Sequence, residues 1–264
     1  MRDFRGRVAV VTGAARGLGA ALGRGLAAEG ALLALVDLDR SVEAVANTLP
    51  GARGYVVDVA DRDAVQALAA AVATDLGDAA LLINNAGVVL DGPLEAVAHE
   101  DLEWLLGVNL WGVVHGCRAF LPQLRRQREA HVVNVASAFA FLGVPRKAAY
   151  GASKAAVRAL SESLRLELHG SGVGVTLLVP GPLDTDILRS GRGVSAAQRE
   201  AEARFVAQRA VPLERVVART LRGVRRDQAR VIVGRDAHLF DLAARVAPVA
   251  ALAVLARLQR RLPF

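Results

Sequence analysis

The chain has 264 residues, 53% of them hydrophobic and 22% charged, with a mean hydropathy of +0.32, which is enough apolar material for a large core and excludes wholesale disorder. The single cysteine, Cys117, excludes an intrachain disulfide framework and a cysteine-cluster metal site, and it fits a reducing compartment. The net charge of +7 is lopsided: residues 189–264 carry +10 and residues 1–188 carry −3, and only Lys147 and Lys154 among the bases are lysines.

Short apolar runs alternate with helical patterns along the chain. Residues 8–11 (VAVV) read as a buried strand, residues 18–29 as a helix ending at Gly30, and residues 32–36 as a second strand. A short helix over 41–48 stops at Pro50, and residues 54–57 form a third strand. Asp61 reads as the cap of a helix reaching Leu76, before a fourth strand at 80–83. One long helix is predicted over 101–128, a fifth strand at 131–135, a second long helix over 148–168 and a sixth strand at 174–179. A basic helical region follows, then a seventh strand at 230–234 and a C-terminal helix over 237–262. Strands apolar on both faces and alternating with helices predict one α/β domain, a doubly wound parallel sheet of about seven strands covered by helices on both sides.

The first strand runs into Thr12-Gly13-Ala14-Ala15-Arg16-Gly17-Leu18-Gly19 and then a helix. Glycines there let the backbone approach a ligand, and the helix start offers free N–H groups and partial positive charge to a diphosphate. Asp37 stands 18 residues after Gly19, at the end of the second strand, where a carboxylate holds ribose hydroxyls and repels a 2′-phosphate. It argues for NAD; Arg16, inside the loop, leaves NADP as the less favoured cofactor.

Three further segments complete a pattern: Asn84-Asn85-Ala86-Gly87 after the fourth strand, Ser137 after the fifth, and Tyr150-Gly-Ala-Ser-Lys154 at a helix start. Together with the glycine loop, these residues make the chain resemble the short-chain dehydrogenase/reductase family, whose sheet is of Rossmann type, over about residues 7–190. The residues support this independently. Tyr150 and Lys154 are four apart on one helix face, and an ammonium beside a phenol is expected to lower its pKa from about 10. A phenol so tuned can exchange a proton with an alcohol, while the Ser137 hydroxyl holds the substrate oxygen. The resemblance implies that Tyr150 is the acid/base, that Ser137 orients substrate, and that Lys154 bonds the nicotinamide ribose. It also implies that Asn109 (in VNLWG) organises a proton-relay water, and that Pro180, Gly181 and Thr185 (in PGPLDT) hold the nicotinamide. Asp58 and Val59 would contact the adenine side, and Asn85, Ala86 and Gly87 would line the cofactor cleft. Asn84 is expected to brace the sheet. The residue before Ser137 is Ala136, where many relatives carry a second serine, and Pro182 follows the Pro-Gly pair; neither departure removes a chemical role.

Phe139, Phe141, Leu142, Leu183, Ile187 and Leu188 follow the catalytic serine or the nicotinamide segment and are the expected substrate-pocket residues, although such residues also close cores. None is charged, which points to a hydrophobic secondary alcohol or ketone. Gly191, Gly193 and the polar residues between them predict a lid ahead of the basic region, within 189–229. Lys147 is expected on the surface. The five histidines lack metal-ligand spacing, and no metal is expected.

The C-terminal helix, with Arg245, Arg257, Arg260 and Arg261 around its leucines and valines, could pack on a partner subunit, lie on an anionic membrane or cover its own subunit. Family resemblance implies a homodimer or homotetramer built on the two long helices. Few aromatics and no recognition motif speak against nucleic acid. Neither a secretory leader nor a spanning helix is legible, which predicts a cytoplasmic protein, with membrane association left open. Three activities remain in competition: an NAD-dependent alcohol dehydrogenase or ketone reductase, an NADP-dependent 3-oxoacyl reductase, and a non-catalytic cofactor-bound scaffold anchored by its basic tail.

Overall fold

A computed structural model describes residues 1–258. Seven strands form one parallel sheet: β1 (Val8–Thr12), β2 (Leu32–Asp37), β3 (Ala52–Val56), β4 (Ala79–Asn84), β5 (Ala130–Val135), β6 (Val173–Pro180) and β7 (Arg230–Val233). Their order is β3-β2-β1-β4-β5-β6-β7, so the sheet grows in opposite directions from the β1–β4 pair. That reversal opens a crevice at the carboxyl ends of β1 and β4, the place where open α/β sheets hold ligands.

Every residue of β1, β4 and β5 is buried. Alternate side chains serve opposite faces. Val10 and Leu82 pack with Phe120 and Leu124 of α5 (Gly112–Arg126), Val65 and Val72 of α3 (Arg62–Asp75), and Val157 and Leu164 of α6 (Ala148–Glu167). Val11, Leu81 and Ile83 pack instead with Leu22 and Leu26 of α1 (Gly17–Ala28) and with Val216 and Leu221 of α8 (Leu213–Arg225). The remaining helices are α2 (Ser41–Asn47), α4 (His99–Leu106), α7 (Ala196–Ala207), α9 (Arg235–Val246) and α10 (Pro248–Leu258). Asp61 caps α3 as its sequence predicts, its carboxylate accepting from the Asp63 and Ala64 amides.

Two helix expectations need correction. The single helix over 101–128 is α4 and α5 separated by a π turn, Gly107–Trp111, in which the Gly112 amide donates to the Gly107 carbonyl five residues back. The wide turn carries Asn109 inward to zero exposure, and Gly112 lets α5 approach Val59, whose Cγ2 would lie 2.8 Å from a Cβ there. Such widened turns are rare and cluster at functional sites. The C-terminal helix is likewise two. Pro248 has no N–H to continue α9 but suits the first position of α10, so the chain breaks at Ala247. Arg260 and Arg261 lie outside the described residues. Among those described, no helix is long and apolar enough to cross a membrane.

Candidate active site

The loop between β1 and α1 is clamped to the end of β4 by side chains acting on backbone. Asn85 Nδ2 donates to the Thr12 and Gly13 carbonyls at 2.8 and 3.1 Å. Thr12 Oγ1 accepts from the Asn85 and Ala86 amides, each at 3.0 Å. The clamp leaves no room for a side chain at two positions: a Cβ on Gly13 would sit 2.8 Å from Ala86 Cα, and one on Gly19 would collide with the Gly13 carbonyl oxygen. Gly17 takes a positive φ of 56° and faces Thr185, whose methyl carbon would be 3.2 Å from a Cβ there. The residue ahead of α1, Arg16, is extended and gives no side-chain cap, so the first-turn N–H groups face the crevice without a side-chain acceptor. Leu18 is buried in the core behind them. A glycine-formed concavity, an uncapped helix start and a carboxylate at the end of β2 fit a dinucleotide.

That carboxylate, on Asp37, accepts from the Ala15 amide at 2.9 Å and the Asp39 amide at 3.0 Å. Arg16 reaches back to Asp39 at 3.7 Å, across an exposed gap. Asp58 accepts from the Ala60 amide at 2.8 Å and holds the turn after β3, while Val59 is buried and its carbonyl meets His115 Nδ1 at 3.1 Å. Pro180 ends β6, and the Gly181 amide donates to the Val233 carbonyl at 2.7 Å, which fixes the start of the segment leading to Thr185.

Ser137 follows β5 and opens a 3-10 turn, Ala138–Ala140, its Oγ accepting from the Phe139 amide. Tyr150 lies in the first turn of α6 and is 9% exposed. Lys154, one turn on, donates from Nζ to the Val135 carbonyl at 3.1 Å and lies 6.0 Å from the Tyr150 ring centroid. Gly87 passes beneath: a Cβ there would be 3.2 Å from Lys154 Nζ and 3.3 Å from Asn109 Oδ1. Asn109 Oδ1 accepts from the Val88 amide, and its Nδ2 donates to the Val88 carbonyl and to Ser153 Oγ. Ser153 in turn donates to the Tyr150 carbonyl at 2.7 Å. Asn109 thus ties the segment after β4 to the helix that carries the phenol.

The expected lowering of the Tyr150 pKa is corrected in the free chain. Burial pushes the phenol up to about 12, with only the Ser137 hydroxyl acting in the other direction. Burial also pulls the Lys154 ammonium down to about 8. The physical reason is desolvation, which penalises the charged form of each group.

Of the expected pocket residues, Phe139, Ile187 and Leu188 are brought to Tyr150. Phe139 meets the phenol ring edge-on at 6.2 Å between centroids. Leu142 is buried. Two others go elsewhere. Phe141 packs on the α5–α6 core, with the Arg158 and Arg230 guanidiniums 5.6 and 5.2 Å from its ring, because it lies beyond the 3-10 turn that aims Phe139 at the site. Leu183 packs on the opposite core layer. Residues not foreseen from sequence complete the wall: Val88, Val89 and Leu90 after β4, and Leu102, Trp104 and Leu105 on α4. Asn84 braces the sheet by donating to Asn134 Oδ1 across β4 and β5 at 2.8 Å.

Lys147 is also corrected: it is 2% exposed. Its Nζ lies 2.7 Å from a Glu202 oxygen and 3.3 Å from an Asp91 oxygen, and neither acid is its neighbour in sequence.

A sequence profile described as short chain dehydrogenase matches residues 7–193. A Mycobacterium tuberculosis protein named SadH and described as an oxidoreductase is 38% identical over 255 residues, covering 93% of this chain and 92% of its own. Among solved structures, a short-chain dehydrogenase/reductase from Burkholderia phymatum in complex with NAD superposes with a TM-score of 0.82 at 33% identity, covering 93% of this chain and 94% of that one. A metagenomic short-chain oxidoreductase in complex with NADP superposes at 0.71 with 30% identity, over 87% and 97%.

Proposed function

The chain belongs to the short-chain dehydrogenase/reductase family of oxidoreductases, and from that premise we propose that it moves a hydride between NAD(H) and a hydrophobic secondary alcohol or ketone, with Tyr150 as acid/base. The observation that carries this reading is Tyr150 set among apolar side chains from Val88, Leu105, Phe139 and Ile187, with Lys154 Nζ 6.0 Å from its ring and Ser137 opening the turn that brings Phe139 against it.

Bound nicotinamide would give or accept the hydride. In the reductive direction the Tyr150 phenol donates its proton to the carbonyl oxygen, and in the oxidative direction its oxygen takes the proton back. The Ser137 hydroxyl donates to the same substrate oxygen and holds it as charge develops there. Lys154 would hold the ribose through Nζ and place positive charge beside the forming phenolate. The Asn109–Ser153 chain keeps the first turn of α6 fixed against the segment after β4. Apolar walls from Val88, Trp104, Phe139 and Ile187 keep water from the reacting atoms and give an anionic substrate no counter-charge.

Asp37 and Asp39 at the adenosine end support NAD over NADP, because two carboxylates repel a 2′-phosphate and Arg16 is already drawn to Asp39. Exposed Leu106 and Trp111 on the α4–α5 face support a homodimer or homotetramer. Exposed Leu239, Leu242, Val246 and Val249 on α9 and α10 support a second contact there. Titration with NADH and NADPH by fluorescence, followed by a panel of aliphatic and aryl ketones and secondary alcohols, tests the proposal. It predicts tighter NADH binding by about tenfold, a difference of about 1.4 kcal/mol, and turnover of neutral apolar substrates. An NADH-loaded protein inert across the panel would favour the scaffold reading, and preference for NADPH with acyl substrates would favour the 3-oxoacyl reductase.

A further inference from the structure

Helix α7 meets the body of the protein beside Lys147 and Asp91, and of its twelve residues only Glu202 and Ala203 are fully buried. The buried carboxylate grips a buried ammonium with both oxygens, Glu202 Oε1 and Oε2 lying 2.7 and 3.0 Å from Lys147 Nζ. Asp91 Oδ2 lies 3.3 Å from the same nitrogen, and Arg146 Nε lies 3.4 Å from the other Asp91 oxygen. Glu202, Asp91 and Lys147 are 5%, 5% and 2% exposed, so solvent screens none of them.

Three parts of the site meet at this nitrogen. Asp91 directly follows residues 88–90, which line the wall against Tyr150. Lys147 immediately precedes α6, and its carbonyl accepts from the Gly151 amide at 2.7 Å, so it is joined to the turn that carries Tyr150. Glu202 belongs to the strap, residues 182–212, which also supplies Ile187 and Leu188 to the pocket. The strap has a second stitch: the Asp91 amide donates to the Arg192 carbonyl and the Arg192 amide to the Val89 carbonyl, each at 3.0 Å. Arg192 also stacks 4.0 Å over Trp104 and pairs with Asp101 at 2.9 Å.

We propose that Glu202 and Lys147 are positioning residues for substrate capture, their ion pair docking α7 as a wall of the substrate pocket and tying that wall to the first turn of the helix bearing Tyr150. The proposal rests on the dehydrogenase reading of the site. Removing Lys147 leaves Glu202 buried without its counter-charge, and removing Glu202 leaves Lys147 to Asp91 and takes away the tie between α7 and this nitrogen, so either change favours undocking of α7. The facing groups on Glu202 are Lys147 and, beyond it, Asp91 with Arg146. Burial and the neighbouring Asp91 raise the Glu202 carboxyl against the pull of Lys147.

The test compares the wild-type protein with Glu202→Gln, Lys147→Met and the exchange double variant Lys147→Glu/Glu202→Lys. It reads substrate KM and kcat, NADH affinity by fluorescence, and trypsin cleavage after Arg199, Arg204 and Arg209. Either single substitution is expected to raise KM about tenfold, change kcat less than about threefold and leave NADH affinity within about twofold. Cleavage within the strap should accelerate about tenfold, as expected when an open state becomes more populated, and the exchange variant should recover part of both effects. Unchanged KM and cleavage in Glu202→Gln would overturn the proposal, as would a fall in kcat at constant KM or a general loss of NADH affinity. The substitution keeps the side chain's shape, so it decides the matter even if the other variants fail to fold. If the wild-type protein turns over no substrate, the dehydrogenase reading fails, while unchanged cleavage alone would refute docking by the ion pair.

Discussion

On the cofactor side of the crevice, the β1–α1 loop is held by four hydrogen bonds from Asn85, Ala86 and Thr12 and by glycines packed against backbone. On the substrate side, α7 buries two of its residues and leans on a Lys147–Glu202 ion pair, while Ile187 and Leu188 supply the apolar contact to the site. The first region is fixed by backbone geometry that few sequences satisfy. The second is fixed by side-chain contacts made outside the sheet. A fold organised this way keeps one cofactor geometry while its pocket varies, and the two halves should fail differently when altered.

The largest expected separation comes from Tyr150→Phe. It removes the phenol proton but no glycine, clamp or carboxylate, so turnover should fall by about a thousandfold, within the range for a lost acid/base group. NADH affinity, read by fluorescence, should stay within about twofold; turnover near the wild-type value would remove Tyr150 from the chemistry. Next is Gly19→Ala, whose Cβ would strike the Gly13 carbonyl and lie 2.6 Å from Asn85 Nδ2. Overpacking of this kind costs about 1–3 kcal/mol. The variant should bind NADH at least about tenfold more weakly with a lowered Tm, and normal affinity would show that the clamp yields. The smallest effects should come from two phenylalanines two residues apart. Phe139→Ala should raise KM about tenfold and leave NADH affinity alone, a pocket-contact effect of about 1–3 kcal/mol. Phe141→Ala should lower Tm with KM unchanged, because its ring serves the α5–α6 core. Equal effects on KM would place both rings in the pocket.

The same contrast explains what could be read before the fold was known. The glycine loop, Asp37 and the Ser137–Tyr150–Lys154 set lie at strand ends or on one helix face, where local spacing dictates geometry. The central strands β1, β4 and β5 were legible because their apolar runs are buried on both faces, while the edge strands β3 and β7 carry only partly buried runs. Less local features were hidden. Burial of Lys147 depends on Glu202, 55 residues away, and no periodicity announces that pairing. The π turn over Gly107–Trp111 lies inside an apolar pattern that reads as continuous helix. Whether Phe139 or Phe141 faces Tyr150 depends on a 3-10 turn of three residues, Ala138–Ala140. The free-chain phenol departs from expectation because spacing says which charges are near but not how dry the site is.

Tyr150 and Tyr55 are the two tyrosines of the chain, so in a Tyr55→Phe variant the ultraviolet phenolate signal reports Tyr150 alone. The free protein should show no phenolate below pH 10, since burial holds the group near 12, and saturating NAD⁺ should bring the transition down by at least about one unit, as positive charge placed beside a phenol favours its ionised form. A transition that saturating NAD⁺ leaves in place would contradict the assignment of Tyr150 as the proton-exchanging group.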